Sequence, residues 1–161
     1  VNESHGDWFY EHHELGFNYR MTDIQAALGV TQMERLNDFV AQRNNIAKYY
    51  NEQFSSLPVM TQKIKSDCYS SYHLYVIRLD LKKIKHDRAE IFDKMRMSGV
   101  GVNVHYIPIH TQPYYENLGF KKGDFPVAEK YYDEAITLPL FTSMKDEQKI
   151  KVVDDFKKVL Q

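Results

Sequence analysis

Apolar positions divide the sequence into an irregular start, a long helical stretch and a series of short elements. Residues 1–21 are polar and aromatic without a sustained period of 2 or 3.6, which predicts an irregular lead-in. Thr22 and Gln25 form a T-x-x-Q capping box, which is typical of a helix start. Apolar residues then recur at helical spacing, at Ile24, Ala27, Leu28, Leu36, Phe39, Val40, Ile46, Ala47, Tyr50 and Phe54. We therefore expect one long helix over residues 22–56, with an apolar face that a second domain or subunit must cover.

The rest of the chain alternates between short strands and helices. The predicted elements are strands over 59–64 and 72–79, a helix over 88–97 capped by Asp87 and ending at Ser98 and Gly99, a strand over 100–106, a helix from Pro126 to Ala135, an extended segment over 136–140 and a last helix capped by Ser143. This order predicts an α+β fold, with a small mixed or antiparallel sheet and helices on one side of it. Three parts result: a lead-in over 1–21, a connecting helix over 22–56 and a small domain over 57–161.

The balance of charges argues against nucleic acid or a membrane surface as partner. The 161 residues include 21 basic and 22 acidic side chains, mixed along the chain, with a net charge of −1. No broad field of one sign is therefore available to attract a polyanion.

Cysteine and methionine positions indicate a cellular compartment and a longer parent protein. Cys68 is the single cysteine and cannot form an internal disulfide, and no apolar run reaches the roughly 18 residues of a membrane span. Both features favour the cytoplasm. The first methionine is Met21 and the start lacks the pattern of a signal peptide. We therefore expect the chain to be a piece of something longer.

Residues 16–22 combine groups that suit phosphate oxygens. Asn18 offers amide donors, Arg20 offers a planar cationic fork, and the helix start at Thr22 adds positive potential. An asparagine turn followed by a solvated arginine is the alternative interpretation of the same residues.

A second polar and aromatic group follows the strand predicted over 100–106. His105, Tyr106, His110 and Tyr114 could line a pocket at the strand's end, since such loops often carry binding groups. Ordinary turn residues packed on the core would give the same pattern. Two histidines five apart, with a proline between them, do not match a helical metal pair.

No complete catalytic set is evident from the residues alone. The E-H-H-E segment over residues 11–14 differs from the zinc motif H-E-x-x-H, so we expect no metal site. The chain also lacks G-x-S-x-G, Walker, G-x-G-x-x-G and C-x-x-C patterns.

Several segments together resemble the DegT/DnrJ/EryC1/StrS family of sugar aminotransferases. They are ELGFNYRMTDIQAA over residues 14–27, QMERL over 32–36, Arg43, YHLY over 72–75, Gly99 with Val100, and VHYIPIH over 104–110. The resemblance spans nearly the whole chain. Within the family it is greatest to the subgroup that makes UDP-4-amino-4,6-dideoxy-N-acetyl-altrosamine for pseudaminic acid.

The resemblance implies a fold-type-I aminotransferase that works as a homodimer with pyridoxal 5′-phosphate. A large N-terminal domain of such enzymes holds the cofactor on a lysine, and the resemblance implies that this chain starts after it; the first lysine here is Lys48. The chain would then be the small C-terminal domain, with residues 1–21 as an active-site lead-in from the large domain. Alone it is expected to be inactive.

The resemblance also assigns roles to the candidate residues. Asn18 would reach the cofactor phosphate of the partner subunit, and Tyr19 and Arg20 would lie near that phosphate or the nucleotide diphosphate. The residues near the nucleotide sugar would be His105, Tyr106, His110 and Tyr114. The implied reaction moves an amino group from L-glutamate to the 4-keto carbon of a UDP-linked sugar.

Two other classes of function remain open on the sequence. One is a non-catalytic nucleotide-sugar-binding or dimerisation domain that never had a lysine partner. The other is a regulatory small-molecule domain of α+β type, which would not need the polar lead-in over residues 1–21.

Overall fold

The structure, a computed structural model, describes Phe17 and residues 19–160. Those residues form helices α1 (Asp23–Met33), α2 (Leu36–Phe54), α3 (Arg88–Met97), α4 (Pro113–Glu116), α5 (Pro126–Glu134) and α6 (Asp146–Val159), with a 3₁₀ turn at Ile109–Thr111. The strands are β1 (Val59–Thr61), β2 (Tyr75–Leu79) and β3 (Ala135–Leu138). The chain divides into two compact units, one ending at Leu36 and the other beginning at Asn37.

The first unit contains α1, which starts at the capping box that the sequence predicted. The Thr22 N–H donates to Gln25 Oε1 at 3.0 Å, and Thr22 Oγ1 accepts from the Gln25 N–H at 3.3 Å. No residue of α1 is buried, and Ile24, Leu28 and Met33 are among its exposed apolar side chains. The helix therefore carries exposed apolar surface along its length.

Two helices stand where the sequence predicted one over residues 22–56. The Glu34 N–H still reaches Val30 O at 3.3 Å, but the Arg35 N–H donates to Gln32 O, only three residues back, at 3.1 Å. This tighter bond ends the α-helical ladder before α2 begins at Leu36. Apolar spacing continues across the break, so the pattern alone could not locate it.

The second unit is built on a three-stranded antiparallel sheet of order β1-β2-β3. Along the central strand, Tyr75, Ile77 and Leu79 are fully buried, whereas Val76 and Arg78 are partly exposed. This alternation follows from the two-residue repeat of a strand. Of the two sheet types that the sequence allowed, the structure has the antiparallel one.

Helices α2, α3 and α6 cover the buried face of this sheet. Four aromatic rings connect α2 and α6 to β2. Tyr50 packs on Phe54 and Tyr75 with ring centroids 5.6 and 5.1 Å apart, and Phe54 contacts Phe156 with centroids 5.3 Å apart. All four side chains are at most 1% exposed. Burial of these rings removes a large apolar surface from water and so stabilises the unit.

The two buried phenols keep their protons and satisfy polar partners. Burial raises the pKa of both Tyr50 and Tyr75. Tyr50 Oη donates to Pro139 O at 3.0 Å, and Tyr75 Oη donates to Asn51 Oδ1 at 2.7 Å. The first bond ties α2 to the segment that follows β3.

Helix α5 lies against the other face of the sheet and leads directly into β3. Arg78 alternates with the buried residues of β2, and its guanidinium pairs with Glu134 at the end of α5. Ala135 both ends the helix and begins the strand. Helices α2, α3 and α6 therefore form the layer that the sequence predicted on one side of the sheet, whereas α5 lies outside that layer.

The end of α3 is a Schellman motif, as its predicted stop at Ser98 and Gly99 suggests. The Gly99 N–H donates to Arg96 O and the Val100 N–H to Met95 O, both at 3.0 Å. Gly99 has a φ of +83°, in the left-handed region that favours glycine. Asp87 caps the other end, as predicted, and the structure adds Glu90 as the second member of a capping box.

The strand predicted over residues 100–106 is reduced to a single antiparallel bridge between Asn103 and Thr137. Beyond it, the Val104 N–H donates to Asn103 Oδ1 at 2.8 Å. The next hydrogen-bonded pair of an antiparallel ladder would join residues 105 and 135, but the Ala135 N–H donates to Tyr131 O at the end of α5, so the ladder does not continue. The strands predicted over 59–64 and 72–79 are likewise shorter, at Val59–Thr61 and Tyr75–Leu79.

The last helix begins later than predicted. Its N-cap is Lys145 rather than Ser143, and Gln148 Oε1 accepts from the Lys145 N–H at 2.9 Å. Gln148 thus supplies the reciprocal half of a capping box, and this side chain rather than a serine hydroxyl marks the helix start.

A carboxylate fastens the loop ahead of α5. Glu129 Oε1 lies 2.8 Å from Nε2 of the buried His110 and accepts from the N–H groups of Gly123 at 2.7 Å and Phe125 at 3.4 Å. The Gly123 N–H, followed by His110, holds the pKa of Glu129 below its ordinary value. The charged form of Glu129 therefore links the 3₁₀ turn to α5.

Replacing Phe156 by alanine is expected to lower the free energy of unfolding by about 3–5 kcal/mol, because it removes a fully buried ring and leaves a cavity. Urea unfolding followed by circular dichroism measures this loss. Ile150→Ala, at an exposed site on the same helix, is the matched control and should change stability by less than ~0.5 kcal/mol. Equal effects of the two substitutions would contradict the packing described for α6.

Replacing Glu129 by glutamine should change how the free energy of unfolding depends on pH in the acid range. A carboxyl group whose pKa is lower in the folded than in the unfolded state stabilises the fold at pH values above its unfolded pKa of about 4.3. It loses that contribution as the pH falls through its folded pKa. The stability difference between wild type and Glu129→Gln should therefore be largest near neutral pH and shrink in acid. Unfolding measured across this range checks it, with the exposed Glu52→Gln as control. A difference that grows on acidification would contradict the assignment.

Candidate functional site

A cavity of about 700 Å³ lies beside β2 and β3 in the second unit. Its polar lining residues are His73, Asn103, His105, Thr137, Gln148 and Lys151, and its apolar ones include Tyr75, Leu138, Leu140, Phe141 and Val152. The backbone at the end of α3 also lines it, at residues 99–101. A concave, mostly apolar site with a few convergent polar groups is typical of small-molecule binding.

His105 is held in this cavity by three neighbours. Its Nδ1 lies 2.8 Å from Thr137 Oγ1, and its Nε2 lies 3.4 Å from Asn103 Nδ2. The ring also meets Tyr106 edge to face, with centroids 4.5 Å apart. Three contacts of this kind fix the orientation of a half-buried imidazole.

Backbone strain lies next to the cavity at Tyr72. This buried tyrosine has a φ of +43°, in the left-handed region that bulky residues rarely adopt. Its N–H donates to Ser70 Oγ at 3.1 Å. Strain of this type costs on the order of 1–3 kcal/mol and is concentrated at functional sites. The next residue, His73, lines the cavity.

The four residues predicted to line one substrate pocket lie in different surroundings. His105 lines the cavity, whereas Tyr106 is 71% exposed and borders a separate apolar hollow with Phe125 and Pro126. His110 is buried against Glu129 and Phe125. Tyr114 is 69% exposed, with its ring edge-on to Tyr115. Their shared role in substrate binding stays a prediction.

Sequence reasoning missed three residues that line the cavity together with His105. Asn103 and Thr137 are joined to each other by the isolated bridge, and His73 follows the strained Tyr72. Asn103 and His73 fell inside predicted strands, and Thr137 lay in an extended segment. The available signal was the polar character of Thr137 in an otherwise apolar strand.

The residues predicted to bind the cofactor precede α1 in the first unit. Asn18 lies outside the described residues. Tyr19 is 91% exposed and stacks on Phe17 with centroids 5.5 Å apart, and Arg20 is also exposed. Both lie just before the capped helix start at Thr22, where positive potential suits an anion.

Two further sequence expectations concern metals and membranes. The E-H-H-E segment lies outside the described residues, and the described part of the chain holds no group of three or more metal-ligating side chains. Among its helices, none is long and apolar enough to cross a membrane.

Known proteins are similar to this chain in sequence and in fold. SpsC, a spore coat polysaccharide biosynthesis protein of Bacillus subtilis, is 36% identical over 161 residues, which cover 98% of this chain and 41% of SpsC. A Campylobacter jejuni protein named UDP-4-amino-4,6-dideoxy-N-acetyl-beta-L-altrosamine transaminase is 33% identical over 149 residues, covering 89% of this chain and 39% of that protein. The chain thus spans about two fifths of the length of these relatives.

A solved structure extends the likeness to the fold. The pyridoxal-phosphate form of Spr1654, a sugar aminotransferase of Streptococcus pneumoniae, superposes with a TM-score of 0.81 at 31% identity, covering 94% of this chain and 39% of that one. This confirms the predicted fold class, and solved forms with either pyridoxal or pyridoxamine phosphate agree with the expected cofactor of the family. The family model itself matches residues 2–157. The resemblance is therefore confirmed, and the chain belongs to the DegT/DnrJ/EryC1/StrS aminotransferase family.

Proposed function

We propose that the full-length protein containing this chain transfers the amino group of L-glutamate to the 4-keto carbon of a UDP-linked keto-deoxy sugar. The observation that carries the proposal is the place of His105. This residue, which the family resemblance puts near the nucleotide sugar, lies in a cavity of about 700 Å³. Ligand sites of this kind usually measure ~300–1,000 Å³.

The cavity combines the groups that a sugar nucleotide needs. Apolar side chains such as Leu138, Leu140 and Phe141 can pack on the flat faces of a base or a sugar and exclude water. The polar side chains of His105 and His73 can accept or donate hydrogen bonds at its hydroxyl groups. In our proposal these residues bind and orient the acceptor sugar, and they do not themselves perform the amino transfer.

The cofactor of the family fits the described residues at its phosphate end. Arg20 and Tyr19 place a guanidinium and a phenol beside the N-terminus of α1, and this donor set suits phosphate oxygens. When bound, pyridoxal phosphate supplies the electron sink for amino transfer. We propose that this chain contributes phosphate contacts, including Asn18, and that the lysine lies elsewhere in the protein. The chain alone is then expected to be inactive.

The sugar is proposed only as a class. The Campylobacter relative is named for a UDP-amino-sugar of the type expected from the sequence, which makes the pseudaminic acid intermediate the first candidate. SpsC has a slightly higher identity and is named for spore coat polysaccharide, so identity does not single out one sugar.

A homodimer with shared sites completes the proposal. The exposed apolar side chains of α1, including Ile24 and Leu28, support an assembly in which another part of the protein or a second subunit covers them. Location in the cytoplasm stays a prediction.

In the full-length protein, His105→Phe should slow the sugar half of the reaction and leave the glutamate half unchanged. Losing one hydrogen bond of about 1.4 kcal/mol would lower kcat/KM for the UDP-4-keto sugar roughly tenfold. Absorbance of the cofactor follows the two halves separately. His86→Gln is the matched control, because His86 lies beside Glu90 on α3 and does not line this cavity.

Two results would count against this proposal in different ways. If His105→Phe slows both halves equally, the residue does not act on the sugar. If the full-length wild type transfers no amino group from glutamate to its cofactor, the non-catalytic binding or dimerisation domain becomes the better explanation.

Sharing of sites between subunits can be tested with Asn18→Ala. This variant is mixed with a variant lacking the catalytic lysine, and subunits are allowed to exchange. Each heterodimer then has one whole site, because the alanine subunit keeps its lysine and receives Asn18 from the other, so up to about a quarter of wild-type activity should return. The test requires each parent homodimer to be nearly inactive. If exchange is demonstrated without any gain in activity, Asn18 serves its own subunit.

A further inference from the structure

We infer that Asn103 and Thr137 hold His105 in the tautomer with its proton on Nδ1, so that Nε2 presents a lone pair to the ligand in the cavity. Both are positioning residues, since they act through His105. That the ligand is a sugar nucleotide rests on the proposed function, whereas the tautomer depends only on contacts within this chain.

The orientation of the Asn103 amide is the first step. Its Oδ1 accepts from the Val104 N–H at 2.8 Å, which distinguishes the oxygen from the nitrogen of the amide. The Nδ2 group is therefore the one that faces His105 Nε2, at 3.4 Å. An amide nitrogen has hydrogens to donate and no lone pair to accept with.

The protonation of the ring follows from this orientation. A proton on His105 Nε2 would point at the hydrogens of Asn103 Nδ2, whereas a lone pair there is attracted to them. The neutral ring carries one proton, so it must then be on Nδ1. That N–H donates to Thr137 Oγ1, which lies 2.8 Å away.

Thr137 is fixed well enough to select one ring nitrogen. It lies in the fully buried strand β3 and is 6% exposed. Its N–H donates to Asn103 O at 2.8 Å, and its carbonyl accepts from the Asn103 N–H at 3.1 Å. A β-branched side chain on such a backbone has little rotational freedom. The backbone pair thus holds both positioning side chains in register with His105.

The consequence is a preference in what the cavity binds. The Nε2 contact with Asn103 is long, so a ligand hydroxyl or N–H group can replace it and donate to the same lone pair. A keto oxygen or phosphate oxygen at that point would face a lone pair and be disfavoured. His105 is therefore a hydrogen-bond acceptor for the ligand and has no Nε2 proton to give.

Nuclear magnetic resonance of this chain, labelled with ¹⁵N-histidine, measures the tautomer directly. Long-range ¹H–¹⁵N correlations at a pH about two units above the ordinary histidine pKa of ~6.5 distinguish a protonated Nδ1 from a protonated Nε2. The His105 signals are assigned by their loss in His105→Phe. We expect Nδ1 to be protonated in the wild type and in Thr137→Ser, which keeps the hydroxyl.

Two substitutions should move the proton. Thr137→Val has nearly the same shape but no acceptor, so the Nε2-protonated form should become the major one. Asn103→Asp places an acceptor opposite Nε2 and should shift the proton in the same direction. A wild type protonated on Nε2, or two variants that both leave the proton on Nδ1, would overturn the inference. If one variant fails to fold, the other and the wild type still decide.

A change of shape alone would not exchange the two nitrogen signals, so this readout separates positioning from a general structural role. The sample contains neither cofactor nor sugar. A failed tautomer test therefore leaves the proposed aminotransferase activity standing, and an inactive full-length protein leaves the tautomer standing.

Discussion

Strand β3 depends on pairing on both sides, and the cavity depends on β3. All four of its residues are buried, and it pairs with β2 through Tyr75, Ile77 and their neighbours. On its other edge only the Asn103 and Thr137 backbones are joined. Because a buried strand cannot leave its N–H and C=O groups unsatisfied, this single bridge fixes where residues 103–105 lie. The place of His105 follows from that requirement rather than from any regular element of its own.

Polar groups in this unit fall into two kinds according to what would happen if a partner were lost. His110 on the 3₁₀ turn and Glu129 on α5 are both largely buried, so losing either would leave the other short of a partner away from water. Arg78 is closer to solvent, with 36% of its side chain exposed, so water can take the place of Glu134 at its guanidinium at less cost. The sequence grouped His110 with His105 as substrate residues, yet their surroundings differ. One histidine fastens a loop and the other faces a cavity.

The sequence predicted the elements whose information is local. The capping boxes at Thr22 and Asp87 and the glycine stop at Gly99 place helix ends, because the groups that satisfy a helix end lie within a few residues of it. It failed where a distant or competing bond decides. The Ala135 N–H bonds within α5 rather than to residue 105, which limits the strand predicted over 100–106 to one bridge, and an i−3 bond at Arg35 divides the long helix. Neither choice has a signature in apolar spacing.

The candidate site shows the same division between local and distant information. His105 could be named from a motif, but its partners could not, since Thr137 lies 32 residues away and Asn103 falls within a segment of strand-like composition. What joins them is the burial of β3, which is a property of the whole packed unit. The residues proposed for the cofactor phosphate differ in this respect, because Tyr19 and Arg20 are exposed beside a helix start. The groups proposed to bind the sugar are thus placed by the packed fold of this chain, whereas those proposed for the phosphate are placed by a local feature, the capped start of α1.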